Sequence, residues 1–202
     1  MMRWVHPEYQ DAPAVKTLSS KFPKAKPFPH MVLRDFFAPA KIKRVREALL
    51  RQKFEFKESD LFRFHQTADF SAIADKTLRE FFAFFNSEEF CAYISQITKT
   101  KVTSADMMGC IYSSGDHLLP HDDRLEGRKI AYVVNLSQDF TKKDGGALSF
   151  FATKAGKPTK VAHSFVPTDN TLFLFKVSEK SFHRVDEVLT EKKRLTLTGW
   201  FY

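Results

Sequence analysis

Hydrophobic positions change their period near the middle of the chain. In the first half they recur at spacings of three and four; from Val102 onward they alternate. Pro39 opens a helical pattern in which Ile42, Val45 and Leu49 share one face, while Lys41, Lys43, Arg44 and Arg46 fill the solvated remainder. A second helix is predicted over Ile73–Phe85, with Leu78, Phe81, Phe82 and Phe85 as its buried stripe. A third runs from Glu88 to Ile97, with Ser87 placed to cap its first amides. Met31–Phe36 reads as a short strand. Residues 1–30 carry Pro7, Pro13, Pro23, Pro27 and Pro29 and read as a leading segment rather than a domain, since each proline removes a backbone donor.

The alternating half predicts strands at Val102–Tyr112, Arg128–Leu136, Ala147–Ala152, Lys160–Val166, Thr171–Val177 and Arg194–Tyr202. Turn chemistry separates them, at Asp144-Gly145-Gly146, at residues 156–158 and at residues 167–170. Thr171–Val177 is apolar on both faces, which predicts a strand covered on both sides. Helices followed by many short strands imply an α+β fold, mainly β, in which a sandwich or barrel has the N-terminal helices packed outside. Residues 31–202 then form a single domain.

Composition narrows the class. Of 202 residues, 43% are hydrophobic and 28% charged, a globular balance that excludes wholesale disorder. Two cysteines, Cys91 and Cys110, make no disulfide framework and point to a reducing, cytoplasmic setting (nuclear also, in a eukaryote). No apolar run approaches the ~20 residues of a membrane span, and Arg3, His6, Pro7 and Glu8 interrupt any secretory leader. There are 22 Phe against 5 Tyr and 2 Trp, so most rings belong to the core. The net charge of +8 suits acidic surroundings. The lysine-rich stretches at 16–26 and 41–46 contain only Phe22 as an aromatic, so direct nucleic-acid binding is not expected.

The chemistry concentrates in His121-Asp122-Asp123 and the distant His183. On an extended segment, an H-x-D pair turns both side chains to one side. A histidine from another strand completes two imidazoles and one carboxylate, the facial triad of non-haem iron(II) oxygenases. Asp122 then faces away. Farther on, Leu195, Leu197 and Phe201 share one strand face and Arg194, Thr196 and Thr198 the other. A guanidinium beside hydroxyls seats a carboxylate through two parallel hydrogen bonds.

The order Tyr112, Gly115, His121-x-Asp123, Gly145-Gly146, His183, Arg194 resembles the iron(II)- and 2-oxoglutarate-dependent oxygenases of the prolyl-hydroxylase type. More narrowly, residues 121–131, 181–185 and 194–201, with Asp60–Gln66 and Pro27–His30 upstream, look like the ribosomal prolyl hydroxylases. The likeness covers roughly residues 27–202. It implies a double-stranded β-helix, or jelly roll, with iron held by His121, Asp123 and His183. It also implies Arg194 on the distal carboxylate of 2-oxoglutarate, with Thr196 and Tyr112 nearby. Asn135 stands in the co-substrate region, where many relatives carry a tyrosine. Fe(II), 2-oxoglutarate and O2 are the implied cofactor and co-substrates, with ascorbate (vitamin C) as a further candidate. The implied reaction hydroxylates a prolyl residue of a ribosomal protein and releases succinate and CO2. Asp116, Asp122 and Glu126 are candidates for an acidic rim meeting such a basic substrate. The residues themselves leave open the same chemistry on another protein or a small molecule. They also leave open a binding module that senses 2-oxoglutarate or scaffolds a translation complex without turnover.

Overall fold

The computed structural model describes residues 2–202. The chain runs α1 (Ala12–Lys21), β1 (His30–Leu33), α2 (Pro39–Leu50), β2 (Glu55–Ser59), β3 (Phe62–Gln66), α3 (Lys76–Phe85) and α4 (Glu88–Thr98). It continues through β4 (Met108–Tyr112), β5 (His117–His121), β6 (Ile130–Asn135), β7 (Leu148–Lys154), β8 (Lys157–Phe165), β9 (Thr171–Lys176), β10 (His183–Val185) and β11 (Arg194–Phe201). The strands form one antiparallel ladder in the order β1-β9-β6-β11-β4-β3-β5-β10-β7-β8, with β2 added to β3. Consecutive strands are seldom neighbours, so the ladder crosses between two faces as a jelly roll does.

The ladder curls until its two halves meet. Phe175 on β9 lies 4.6 Å, ring to ring, from His183 on β10, and 5.4 Å from Phe150 on β7. Alternation then divides each central strand between two cores. On β6, Ala131 and Val133 face the interior with Phe150, Phe173 and Phe175. Ile130, Tyr132 and Val134 face the helices, as do Leu172 and Leu174 of β9 and Leu195, Leu197 and Phe201 of β11. This two-sided cover is why residues 172–175 are apolar throughout.

The helical layer departs from the sequence pattern in instructive ways. Residues 2–30 pack onto the rest of the chain: Trp4, Val5, Val15 and Phe22 are buried in the main core. Pro13 does not prevent α1, because it occupies the first turn, where no intrahelical donor is needed, and Asp11 caps the Ala14 amide at 2.7 Å. α3 starts at Lys76 rather than Ile73, because the Asp75 carboxylate takes the amides of Thr77 and Leu78. Its buried stripe uses Phe84 in place of Phe82. α4 begins as expected, with Ser87 accepting from the Phe90 amide.

Four strands, β2, β3, β5 and β10, lie outside the predicted set, and others shift at their ends. β1 stops at Leu33, and β4 begins only at Met108, after irregular backbone touching the main ladder at Ala105. β7 and β8 extend to a turn at Ala155-Gly156, both with positive φ. Pro158 is tolerated in β8 because that strand is at the edge of the ladder.

The aromatic seam between helices and sheet should carry much of the stability. Phe85 is fully buried, its ring 4.8 Å from that of Tyr132 and 4.9 Å from that of Phe90. Phe85→Ala should cost about 3–5 kcal/mol, and Ser87→Ala about 1 kcal/mol through the lost cap. Urea unfolding midpoints, with unchanged slopes, check both values.

Candidate active site

The ladder places the two histidines. β10 pairs with β5 so that His183 stands opposite His121, their rings 4.2 Å apart. The carboxylate arrives differently from the alternation expected of an extended H-x-D segment. The chain leaves β5 at His121, and Asp123 adopts a left-handed backbone, φ +61°. That turn, not a strand period, swings its carboxylate back between the imidazoles. Asp123 Oδ1 lies 3.3 Å from His121 Nε2, and Oδ2 lies 3.3 Å from His183 Nε2. Asp122 points elsewhere: its carboxylate accepts from Arg124 Nε at 2.7 Å, and its carbonyl accepts from Ser181 Oγ at 2.9 Å.

Both rings are oriented from behind. His121 Nδ1 donates to the Leu119 carbonyl at 2.8 Å, and His183 Nδ1 to the Ser181 carbonyl at 2.8 Å. Each Nε2 lone pair is thereby presented to the centre. Burial opposes charge on His121, but the Asp123 carboxylate outweighs it and raises its pKa. Burial alone would raise the Asp123 carboxyl, whereas His183 and His121 together hold it well below the usual carboxylate range. One atom from each of the three residues lies within 4.8 Å of the others. Two imidazole nitrogens and a carboxylate oxygen, aimed inward and tethered outside, fit a divalent iron with an open face. Access is from the His121 side, where the side chain is 25% exposed against 6% for His183.

Arg194 sets the other end of the cavity. β11 pairs with β4 so that Arg194 stands opposite Tyr112, its guanidinium carbon 5.0 Å from that ring. Arg194 is 1% exposed, Nε has no partner, and no carboxylate among the described residues lies within ion-pair distance. Burial draws its pKa below the ordinary arginine value. Its neighbours stay neutral: burial pushes the Cys110 thiol up to about 12 and the Tyr112 phenol higher still. A buried cation among neutral groups fits an incoming anion. Gly146, at φ +66°, permits this packing, since a Cβ there would lie 3.3 Å from Arg194 Cδ.

The triad, Tyr112, Arg194 and Thr196 line one cavity of about 300 Å³, otherwise walled largely by apolar groups such as Phe62, Phe64, Val133, Leu148 and Phe175. Asn135 is not brought there. At the end of β6 its Oδ1 accepts from the Ser137 amide at 2.9 Å, which turns the amide back onto its own chain. The acidic rim is also incomplete. Asp116 is 2% exposed and bound to the Ser113 amide and Arg63, Asp122 is taken by Arg124, and Glu126 alone is exposed. Gln66, on β3, lines the cavity and was missed. The Phe62-x-Phe64-x-Gln66 alternation is the signal that could have found it.

Residues 107–202 match the 2OG-Fe(II) oxygenase superfamily. These residues form a 2OG-Fe(II) oxygenase domain. Fe(II), 2-oxoglutarate and O2 are therefore its cofactor and co-substrates. The chain is similar to prolyl 3-hydroxylase OGFOD1 of Xenopus laevis, 36% identical over 183 residues, covering 87% of this chain and 35% of that protein. It is also similar to prolyl 3-hydroxylase sudestada1 of Drosophila melanogaster, 31% identical over 166 residues, covering 78% of this chain and 31% of that protein. The chain thus spans about a third of the length of these curated relatives. Among solved structures, a Pseudomonas putida prolyl-4-hydroxylase superposes with a TM-score of 0.74 at 17% identity, covering 91% of this chain and 97% of that one. A Trichoplax adhaerens prolyl hydroxylase, in complex with a hypoxia inducible factor peptide fragment, gives 0.72 at 12% identity, covering 98% and 96%. At such identities these structures establish the shared fold.

Two predictions follow from this oxygenase geometry. His121→Ala, Asp123→Ala and His183→Ala should each weaken Mn(II) binding, read by electron paramagnetic resonance, by more than about 100-fold. Asp122→Ala should retain the metal, because its carboxylate faces Arg124. Arg194→Ala should lose about 2–5 kcal/mol of 2-oxoglutarate affinity by calorimetry. Arg194→Lys should recover only part, lacking the planar fork.

Proposed function

We propose that this domain hydroxylates a prolyl residue of a protein, and that the protein is ribosomal. His121, Asp123 and His183 hold Fe(II), and Arg194 receives the distal carboxylate of 2-oxoglutarate, with Tyr112 and Thr196 beside it. The observation that carries the reading is the sharing of one cavity by an open triad and an unpaired buried guanidinium. The prolyl substrate is supported by relatives named prolyl 3-hydroxylases. The ribosomal one is supported by the likeness at residues 121–131, 181–185 and 194–201.

Bound iron and 2-oxoglutarate supply the oxidation, in which one oxygen atom of O2 enters the C–H bond and the other enters succinate as CO2 leaves. The protein supplies the rest. Arg194 offsets the carboxylate charge and fixes the co-substrate's direction. Phe62, Phe64, Leu148 and Phe175 exclude water around the reacting bond. The outward wall includes Leu61, 55% exposed, and Trp200, whose ring is covered by the Arg128 guanidinium at 3.3 Å. An apolar mouth of this kind suits a prolyl ring. A basic ribosomal substrate and a chain of +8 repel at long range, but the Debye length is only about 8 Å in physiological salt. Recognition is therefore local, by a substrate loop entering the cavity. A cytoplasmic setting accords with this reading.

The test is mass spectrometry of ribosomal proteins incubated with the enzyme, Fe(II) and 2-oxoglutarate, alongside succinate release. The expected result is one added oxygen on a single proline, with succinate in step. Equal oxidation of a peptide whose proline is replaced by alanine would overturn prolyl specificity. Succinate formation that no ribosomal protein stimulates would favour a different substrate, and no succinate at all a non-catalytic module.

A further inference from the structure

We propose that Gln66 is a 2-oxoglutarate-binding residue, which completes the carboxylate seat begun by Arg194 and makes the site selective for a dicarboxylate. The ladder sets a transverse polar row into the cavity wall. Gln66 on β3 pairs with Cys110 on β4, and Cys110 pairs in turn with Thr196 on β11. All three line the cavity, as do Tyr112 and Arg194, the pair two residues along the same strands. The Cys110 thiol lies against Gln66 and also feels the Arg194 charge.

The carboxamide of Gln66 is poorly used as it stands. Its Nε2 is directed at Met108 Sδ, 2.8 Å away, and at Cys110 Sγ, 3.7 Å away. Sulfur is a weak acceptor, and an N–H facing a carboxylate oxygen forms a far stronger, charge-assisted bond. Arg194 alone supplies the charge but leaves its Nε orphaned. A carboxylate arriving at Arg194 meets the Thr196 hydroxyl in the adjoining row, and the Gln66 amide reaches it by turning from Met108, which lies on the side of Cys110 away from Tyr112. Exchanging sulfur for carboxylate oxygen converts an under-used donor into binding energy available only to a ligand with a second carboxylate.

The proposal rests on 2-oxoglutarate as co-substrate and is independent of which residue becomes hydroxylated. Its test compares 2-oxoglutarate with 2-oxopentanoate, which keeps the keto-acid end and the chain length but lacks the distal carboxylate. Binding to the Mn(II)-loaded parent, Gln66→Leu and Gln66→Met is measured by calorimetry without oxygen. Gln66→Met is included because its side chain can pack against the same two sulfurs if the leucine variant folds poorly. The expected result is a loss of 2-oxoglutarate affinity of roughly 10- to 100-fold in both variants, with 2-oxopentanoate binding and Mn(II) resonance unchanged. In turnover assays KM for 2-oxoglutarate should rise by the same factor while kcat holds. Equal weakening of both ligands would mean that Gln66 only supports the wall, and unchanged 2-oxoglutarate affinity would remove it from the site. Either result overturns the proposal. A parent with no preference for 2-oxoglutarate over 2-oxopentanoate would overturn it together with the Arg194 seat.

Discussion

The constraint on which the site depends is a positive charge buried without a partner. Arg194 is enclosed between Tyr112, Cys110 and Gly146, and among the described residues no carboxylate lies within ion-pair distance, Asp186 acting on it only from farther away. Leaving a charge in that state costs several kcal/mol, even after relaxation. A fold does not retain such a cost by accident on its longest central strand. The neutral state of Tyr112 and Cys110 keeps the charge uncompensated until an anion enters. The protein thus gives up stability in its empty form, and the same free energy reappears as affinity for an anionic ligand.

The rest of the architecture brings two imidazoles and a carboxylate into the same cavity as that charge. β10 is only three residues long, yet it joins β5 to β7 and sets His183 opposite His121. The curl of the ladder brings β9 over β10, so that Phe175 and Phe150 wall the same imidazole. The outer ring nitrogens are bound to backbone carbonyls, so the inner ones are held in position without help from solvent. Ser181 links the two ligand-bearing segments by donating to the Asp122 carbonyl. The helices matter through support: they cover the outer face of β6, β9 and β11, which lets the inner face carry polar groups.

Helices α2 and α4 and the central strands were legible in the sequence because their signals are redundant, whereas α1 was hidden by the prolines around it. Pro39 and Ser87 mark starts, and the apolar period of α2 and α4 repeats the message. The strands carrying the ligands were the least legible. β5 contains Pro120 and ends on His121, and β10 spends one of its three residues on His183, so neither shows an apolar alternation. Functional positions displace the residues by which a strand is recognised. The H-x-D spacing pointed to two side chains that do come together, but for a different reason: a left-handed turn at Asp123, invisible in a period-2 pattern, makes the geometry. Asn135 and Asp116 failed as expectations for a related cause. Each sits at a strand end, where a short polar side chain bonds to nearby backbone rather than facing the cavity.

The central claim is that one cavity joins the His121–Asp123–His183 face to the Arg194 charge through a single bound dicarboxylate. A crystal structure with Mn(II) and 2-oxoglutarate tests it most directly. The keto-acid end should sit on a metal held by those three residues, with the distal carboxylate paired with the Arg194 guanidinium. A metal bound away from the triad, or a distal carboxylate turned to solvent while Arg194 pairs with a protein carboxylate such as Asp186, would contradict it.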